Sequence, residues 1–212
     1  MRKLAKALEH AGYSVVNQKY PSTKQPVEVL AELAIQSALQ KSISGNSGTM
    51  SKVHFVTHSM GGILVRQFLS RHSLNNLGRV VMLAPPNKGS QLADKLNRFL
   101  LYRWVNGPAG SQLGTTKDSL PVALGGAHYE LGIIAGNRSI NLLLSTLLPS
   151  PDDGKISVEN TRLSGMKDHI TLPVTHTFMM QNRRVISQVL HFLQYGKFAT
   201  LDRKPNSQEI RL

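Results

Sequence analysis

One serine stands where an apolar run ends and small residues follow, in Val53-His54-Phe55-Val56-Thr57-His58-Ser59-Met60-Gly61-Gly62. A buried strand that ends at a serine and enters a helix at once must turn sharply. Such a turn strains the serine backbone and lifts its hydroxyl clear of the sheet, which suits nucleophilic attack. The residues two before and two after the serine must approach each other, so both must be small. Gly61 meets that demand fully and Thr57 only in part. The helix that follows aims backbone N–H groups at the same spot. The N–H of Met60 is therefore the candidate donor to a developing oxyanion. Alone, Ser59 reads as an ordinary helix N-cap. The order strand, Ser-x-Gly-Gly, helix marks it as a nucleophile.

A serine nucleophile needs a base, and the base needs an acid to orient it. Eight histidines compete. His10, His72 and His191 lie near the carboxyl ends of expected helices, where a cation is mildly favoured. His54 is inside a strand, and His58 sits beside Ser59 but points the wrong way to act on it. His128 and His169 each precede a strand. Only His176 follows the carboxyl end of the last expected strand, from which a loop can reach back over the sheet. For the acid, Asp152, Asp153, Glu159 and Asp168 are available. Asp168 is expected at the amino end of the last strand, on the wrong side. Asp152 and Asp153 both suit a tight turn before Gly154, and residue type does not separate them.

The elements that must position these residues are legible as periodicities. Leu4, Ala7, Leu8 and Ala11 follow helical spacing, and Gly12 ends that helix. Tyr13 to Val16 reads as a short strand. Pro26 opens a second helix with Val27, Leu30, Ala31, Ala34 and Ala38 on one face. The run 53–57 is a buried strand, and a helix runs from Ser59 to about His72. Buried strands are expected at 79–83, 131–135 and 170–175, with helices near 139–148 and at 183–195, where Gly196 is the stop. Strands alternating with helices make a mostly parallel sheet with helices on both faces, an α/β fold. Its ligands bind beyond the carboxyl ends of the strands. One domain is expected over 1–196, with an insertion at about 87–121, and a polar tail over 197–212.

Composition removes several classes. With 212 residues the chain can bury a real core. Its apolar content of 41% and charged content of 17% exclude a disordered chain, a coiled coil and a collagen-like repeat. No apolar stretch is long enough to span a membrane. The opening residues lack the apolar core of a secretory signal, which makes the cytoplasm the expected compartment. There is no cysteine, hence no disulfide and no thiolate chemistry. Lys and Arg total 25 against 12 acidic residues, a formal charge of +13 that favours anionic partners. Nucleic acid is not expected among them, because the longest basic cluster is Arg183-Arg184 and aromatics are only 6%.

The chain resembles the bacterial lipase and serine-esterase family of the α/β-hydrolase fold over nearly its whole length. The resemblance rests on VTHSMGG at the turn, LAPPNKGS after the next strand, NGPAGSQLG in the insertion, DDGKISVENTRLSGMKDHITLPVTHTFMM near the end, and the order Ser, Asp, His. It implies Ser59 as nucleophile, Asp153 as acid and His176 as base, and the short step from Asp153 to His176 decides Asp153 over Asp152. It implies hydrolysis of carboxylic esters, including acyl lipids, with no metal or other cofactor. A thioesterase or acyltransferase of the same fold, or an impaired relative that only binds, are the alternatives. The segment 92–105 presents Leu92, Leu96, Phe99, Leu100, Trp104 and Val105 on one face. It reads either as a lid or acyl-chain pocket, or as an ordinary helix packed on the core. The basic insertion residues Lys88, Lys95, Arg98, Arg103 and Lys117 point to anionic lipid surfaces.

The chain also departs from this family. Relatives carry a strand before the first helix, ending in a His-Gly loop that supplies a second oxyanion donor, and that strand lies between 13–16 and 53–57. Losing such a donor costs ~10²–10³ in kcat, and losing a central strand leaves two edges unpaired. The expectation is a true start upstream of Met1, with activity restored by an amino-terminal extension; a degraded relative is the alternative. Ordinary esterase rates on p-nitrophenyl butyrate from the 212-residue chain would overturn that expectation.

Overall fold

The computed structural model describes residues 1–44, 51–96, 107–140, 145–146 and 148–200. The chain opens with helix α1, Arg2–His10, whose Leu4 and Leu8 are buried. Helix α2, Val27–Ser44, follows. Strand β1, Val53–His58, leads through Ser59 into α3, Met60–Leu69, and then β2, Leu77–Leu83. Short helices α4, Gln91–Leu96, and α5, Leu120–Ala123, precede β3, Leu131–Gly136. Helix α6, Val158–Thr161, and strand β4, Asp168–Leu172, lead to a 3-10 turn at Met179–Gln181 and helix α7, Arg183–Tyr195. Gly196 closes α7 in the left-handed conformation with φ 71°, which costs glycine nothing.

The four strands form one parallel sheet in the order β1-β2-β3-β4. Its two faces bury alternate residues, as strand geometry requires. Val81, Leu83 and Ile134 pack with Leu4 and Leu8 of α1 and with Val185, Val189 and Phe192 of α7. Val80, Met82, Leu131 and Ile133 pack with Val27 and Leu30 of α2 and with Ile63, Leu64 and Phe68 of α3. Both faces being covered, the central strands read as continuous apolar runs.

Three expectations need correction. Residues 13–16 form no strand: they belong to no ladder, and the Tyr13 ring instead meets the His54 ring edge-on at 5.9 Å. A strand exists only with a hydrogen-bonding neighbour, and nothing offers one there among the described residues. The last strand runs over Asp168–Leu172 rather than 170–175, so His169 lies inside it. Its ladder with β3 stops at Gly136↔Leu172 because the next residue, Pro173, has no N–H to donate. The helix after Ser59 ends at Leu69, short of His72. The expected helix near 139–148 falls largely outside the described residues. Among the described residues β1 is an edge strand, each of its six residues half-buried. The strand that the family resemblance places beside it is not among them.

Candidate active site

Ser59 has φ 54° and ψ −128°, a left-handed backbone rare for a residue with a Cβ. Its N–H donates to Leu83 O at 2.8 Å, and its carbonyl accepts from Gly62 N–H at 3.0 Å. The strained residue is thus pinned between β2 and the first turn of α3. Its hydroxyl makes no capping bond to that turn. It faces His176 instead, with Oγ 3.0 Å from Nε2. Met60 is the first residue of α3, so its N–H has no intrahelical acceptor. A Cβ built on Gly61 would meet Thr57 Cβ at 3.4 Å, ordinary contact, which is how threonine fits where the turn calls for a small residue. The tighter neighbour is Gly62, whose Cβ would lie 3.0 Å from Pro85 Cβ.

His176 is buried in the loop after β4. Its Nδ1 lies 2.7 Å from Asp153 Oδ2, and its backbone N–H donates to Asp153 O at 3.0 Å. Asp153 is buried too, in the loop after β3. Its Oδ1 accepts from the backbone N–H groups of Lys155, at 3.0 Å, and Ile156, at 2.8 Å. The carboxylate can only accept, so the imidazole proton sits on Nδ1 and Nε2 is free to take one from Ser59. Asp152 is occupied elsewhere, accepting from Gly154 N–H at 2.7 Å and Ser145 Oγ at 2.8 Å. Asp168 accepts from the N–H groups of His169 and Phe198 at the amino end of β4, away from the site.

Five of the other histidines have structural partners. His54 Nδ1 accepts the Arg79 N–H at 2.8 Å where the β1–β2 register shifts. His72 pairs with Glu32, and His191 lies 2.8 Å from Lys197 O. His169 Nε2 sits 2.9 Å from Thr161 Oγ1, and burial pushes its pKa down to about 4. His58 turns away from Ser59, and its Nε2–H donates to the carbonyl of His176 at 3.0 Å.

Two supporting features are hidden in the sequence, one almost and one wholly. Gly136 ends β3, and a Cβ there would lie 2.5 Å from Val174 O and 2.9 Å from Asp153 Cβ. Only glycine lets the acid loop and the base loop come this close; a glycine ending a buried strand is the available hint. Arg66, one turn and a half into α3, is buried and donates to Asn87 O, Asn87 Oδ1, Pro121 O and Gly125 O. Burial lowers its pKa to about 10. A helical arginine gives no sign in sequence that it lies inside.

Of the insertion residues, Leu92 is buried in α4. The Leu96 side chain and residues Phe99, Leu100, Trp104 and Val105 lie outside the described residues. The two roots of the insertion are tied together: Ser90 N–H donates to Leu113 O at 2.9 Å, and the Asp94 carboxylate accepts from Thr115 N–H at 3.1 Å. An open depression of about 470 Å³ at the start of α7, lined by Leu172, Val174, Gln181, Arg183 and Arg184, does not include Ser59. Among the described residues no group of three or more His, Asp or Glu is placed to hold a metal ion. No helix among them is long and apolar enough to cross a membrane.

No family model and no curated protein matches the chain. Solved structures do. The mature lipase BlEst2 of Bacillus licheniformis superposes with a TM-score of 0.56 at 20% identity, over 82% of this chain and 73% of that one. A metagenomic carboxyl esterase gives 0.65 at 15% identity, over 83% and 58%. The phospholipase PlaB of Legionella pneumophila gives 0.58 at 22% identity, over 76% and 42%. The chain thus spans less than half of that phospholipase. With a parallel sheet, a strained serine between strand and helix, and lipases and esterases as structural neighbours, the chain has the α/β-hydrolase fold.

Proposed function

We propose that the chain is a serine hydrolase that cleaves carboxylic esters, acyl lipids among them, through an acyl-enzyme on Ser59. The observation that carries this reading is the relay of Ser59 Oγ to His176 Nε2 at 3.0 Å and His176 Nδ1 to Asp153 Oδ2 at 2.7 Å. Ser59 attacks the ester carbonyl while His176 takes its proton. Negative charge develops on the carbonyl oxygen and meets the N–H of Met60 at the positive end of α3. The tetrahedral intermediate collapses as His176 returns the proton to the departing alcohol. Water, deprotonated by His176, then attacks the acyl-enzyme and frees the acid and Ser59. Asp153 keeps the proton on Nδ1 and stabilises the imidazolium between the two transfers.

The lipase, esterase and phospholipase among the fold neighbours support an acyl substrate, as does the apolar sequence of the insertion. The formal charge of +13 supports substrate presented at an anionic membrane surface. A fluorophosphonate probe tests the reading. The expected result is covalent labelling that vanishes in Ser59→Ala, together with turnover of p-nitrophenyl butyrate that vanishes in the same variant. A folded chain that neither labels nor turns over ester overturns the reading.

A further inference from the structure

The sheet order separates the two halves of the relay. Among the described residues Ser59 follows β1 at one edge, while His176 follows β4 at the other. The base must reach back across two strands. On its own side it is well held, because His176 N–H donates to Asp153 O and its imidazole meets the same aspartate. Those contacts tie the base to the acid, but not to the nucleophile. Apart from the Ser59–His176 contact itself, one hydrogen bond among the described residues joins loop 173–178 to β1 or α3. It runs from His58 Nε2–H to His176 O at 3.0 Å. The two imidazole rings also pack, with centroids 4.6 Å apart and planes tilted by 50°.

We propose that His58 is a positioning residue for the base, whose ring and Nε2–H anchor the His176 loop to the strand that carries Ser59. The proposal rests on the hydrolase reading for its kinetic consequence, and on the structure alone for the anchor. The last residue of β1 and the nucleophile share one rigid backbone. Whatever fixes His176 against His58 therefore fixes it against Ser59. A carbonyl can only accept, so His58 must keep a proton on Nε2. It stays otherwise unprotonated: burial, then the neighbouring His176, push its pKa down to about 4. A neutral ring is what this place requires, because His176 becomes a cation in mid-reaction and a second charge packed on it would oppose that step.

Two variants of the full chain test this. His58→Gln keeps an N–H at similar reach; His58→Phe keeps a flat ring and loses the donor. The nitrogen NMR signal of His176 Nε2 reports its bond to the Ser59 hydroxyl whether or not ester is turned over. In His58→Phe that signal is expected to move to the position of a ring nitrogen without that bond, and kcat on p-nitrophenyl butyrate to fall about 10- to 100-fold. KM is expected to stay within about twofold, because ground-state binding does not use the anchor. His58→Gln is expected to keep the signal and restore most of kcat. A His58→Phe protein with the wild-type signal and wild-type kcat overturns the proposal. If the wild-type chain neither hydrolyses ester nor takes the fluorophosphonate, the hydrolase reading fails, and the Nε2 signal still decides the role of His58. Should His58→Phe not fold, His58→Asn, whose amide falls short of the carbonyl, replaces it under the same criteria.

Discussion

Ser59 forgoes the capping bond its position offers and holds a backbone conformation that costs ~1–3 kcal/mol. Neither concession helps folding, and both serve to aim one hydroxyl at one imidazole. The aspartates divide in the same way. Asp153→Asn is expected to lower kcat by about 10³–10⁴, because an amide can donate to Nδ1 and favours the wrong tautomer. Asp152→Asn, at the bridge of a turn, is expected to leave kcat within about threefold and to cost stability instead. Steady-state kinetics on the pair separates two neighbours that residue type cannot. Gly136→Ala belongs at this scale too. Its methyl would sit inside the contact distance of Val174 O and Asp153 Cβ, so the acid and base loops must part. A loss of at least about tenfold in kcat, with a lowered urea midpoint, is the expected outcome. The candidate serine and histidine stand out in sequence because the proposed chemistry restricts which residue types would serve. Gly136 does not, since its purpose is to make room for residues far along the chain.

Among the elements, helices declare themselves best. Leu4 and Leu8, or Val185, Val189 and Phe192, repeat at helical spacing because each helix buries one stripe. Strands are less certain, since their existence depends on a neighbour. Tyr13 to Val16 has strand-like residues and no ladder, while β4 is displaced towards the amino end by the missing N–H of Pro173. Arg66 shows what an element does beyond its own packing. It binds α3 to the loop after β2 and to both ends of α5. Arg66→Met would leave four acceptors without a donor, and the buried carbonyls among them cannot all reach water. The expected loss is about 2–4 kcal/mol in urea unfolding. Substitution of an exposed arginine such as Arg71 should change little.

For the whole molecule, pH links buried histidines to stability. His58 and His169 are each held down to about 4 and His54 is lowered, all chiefly by burial. Above about 6.5 these rings are neutral in both the folded and the unfolded chain, and their contribution is complete. As pH falls from there towards 4, the unfolded chain takes up protons that the fold refuses, and stability is lost. Urea midpoints should therefore fall steadily between pH 7 and pH 4.5, and His169→Asn should flatten part of that slope. An unchanged midpoint across the range would contradict these shifts.

The sequence by itself determined the strand–serine–helix turn and the alternation of strands and helices. Both are local, written in adjacent residue types and in the period at which apolar side chains recur. Residue type alone left Asp152 and Asp153 open and the family resemblance favoured Asp153; the tertiary structure turns the Asp153 carboxylate to His176 and shows Gly136 making room between the two loops. It alone joined His58 to the base from the opposite edge of the sheet. Those contacts join residues brought together by strand order and loop path, and a contact across the fold leaves no periodic trace in the chain.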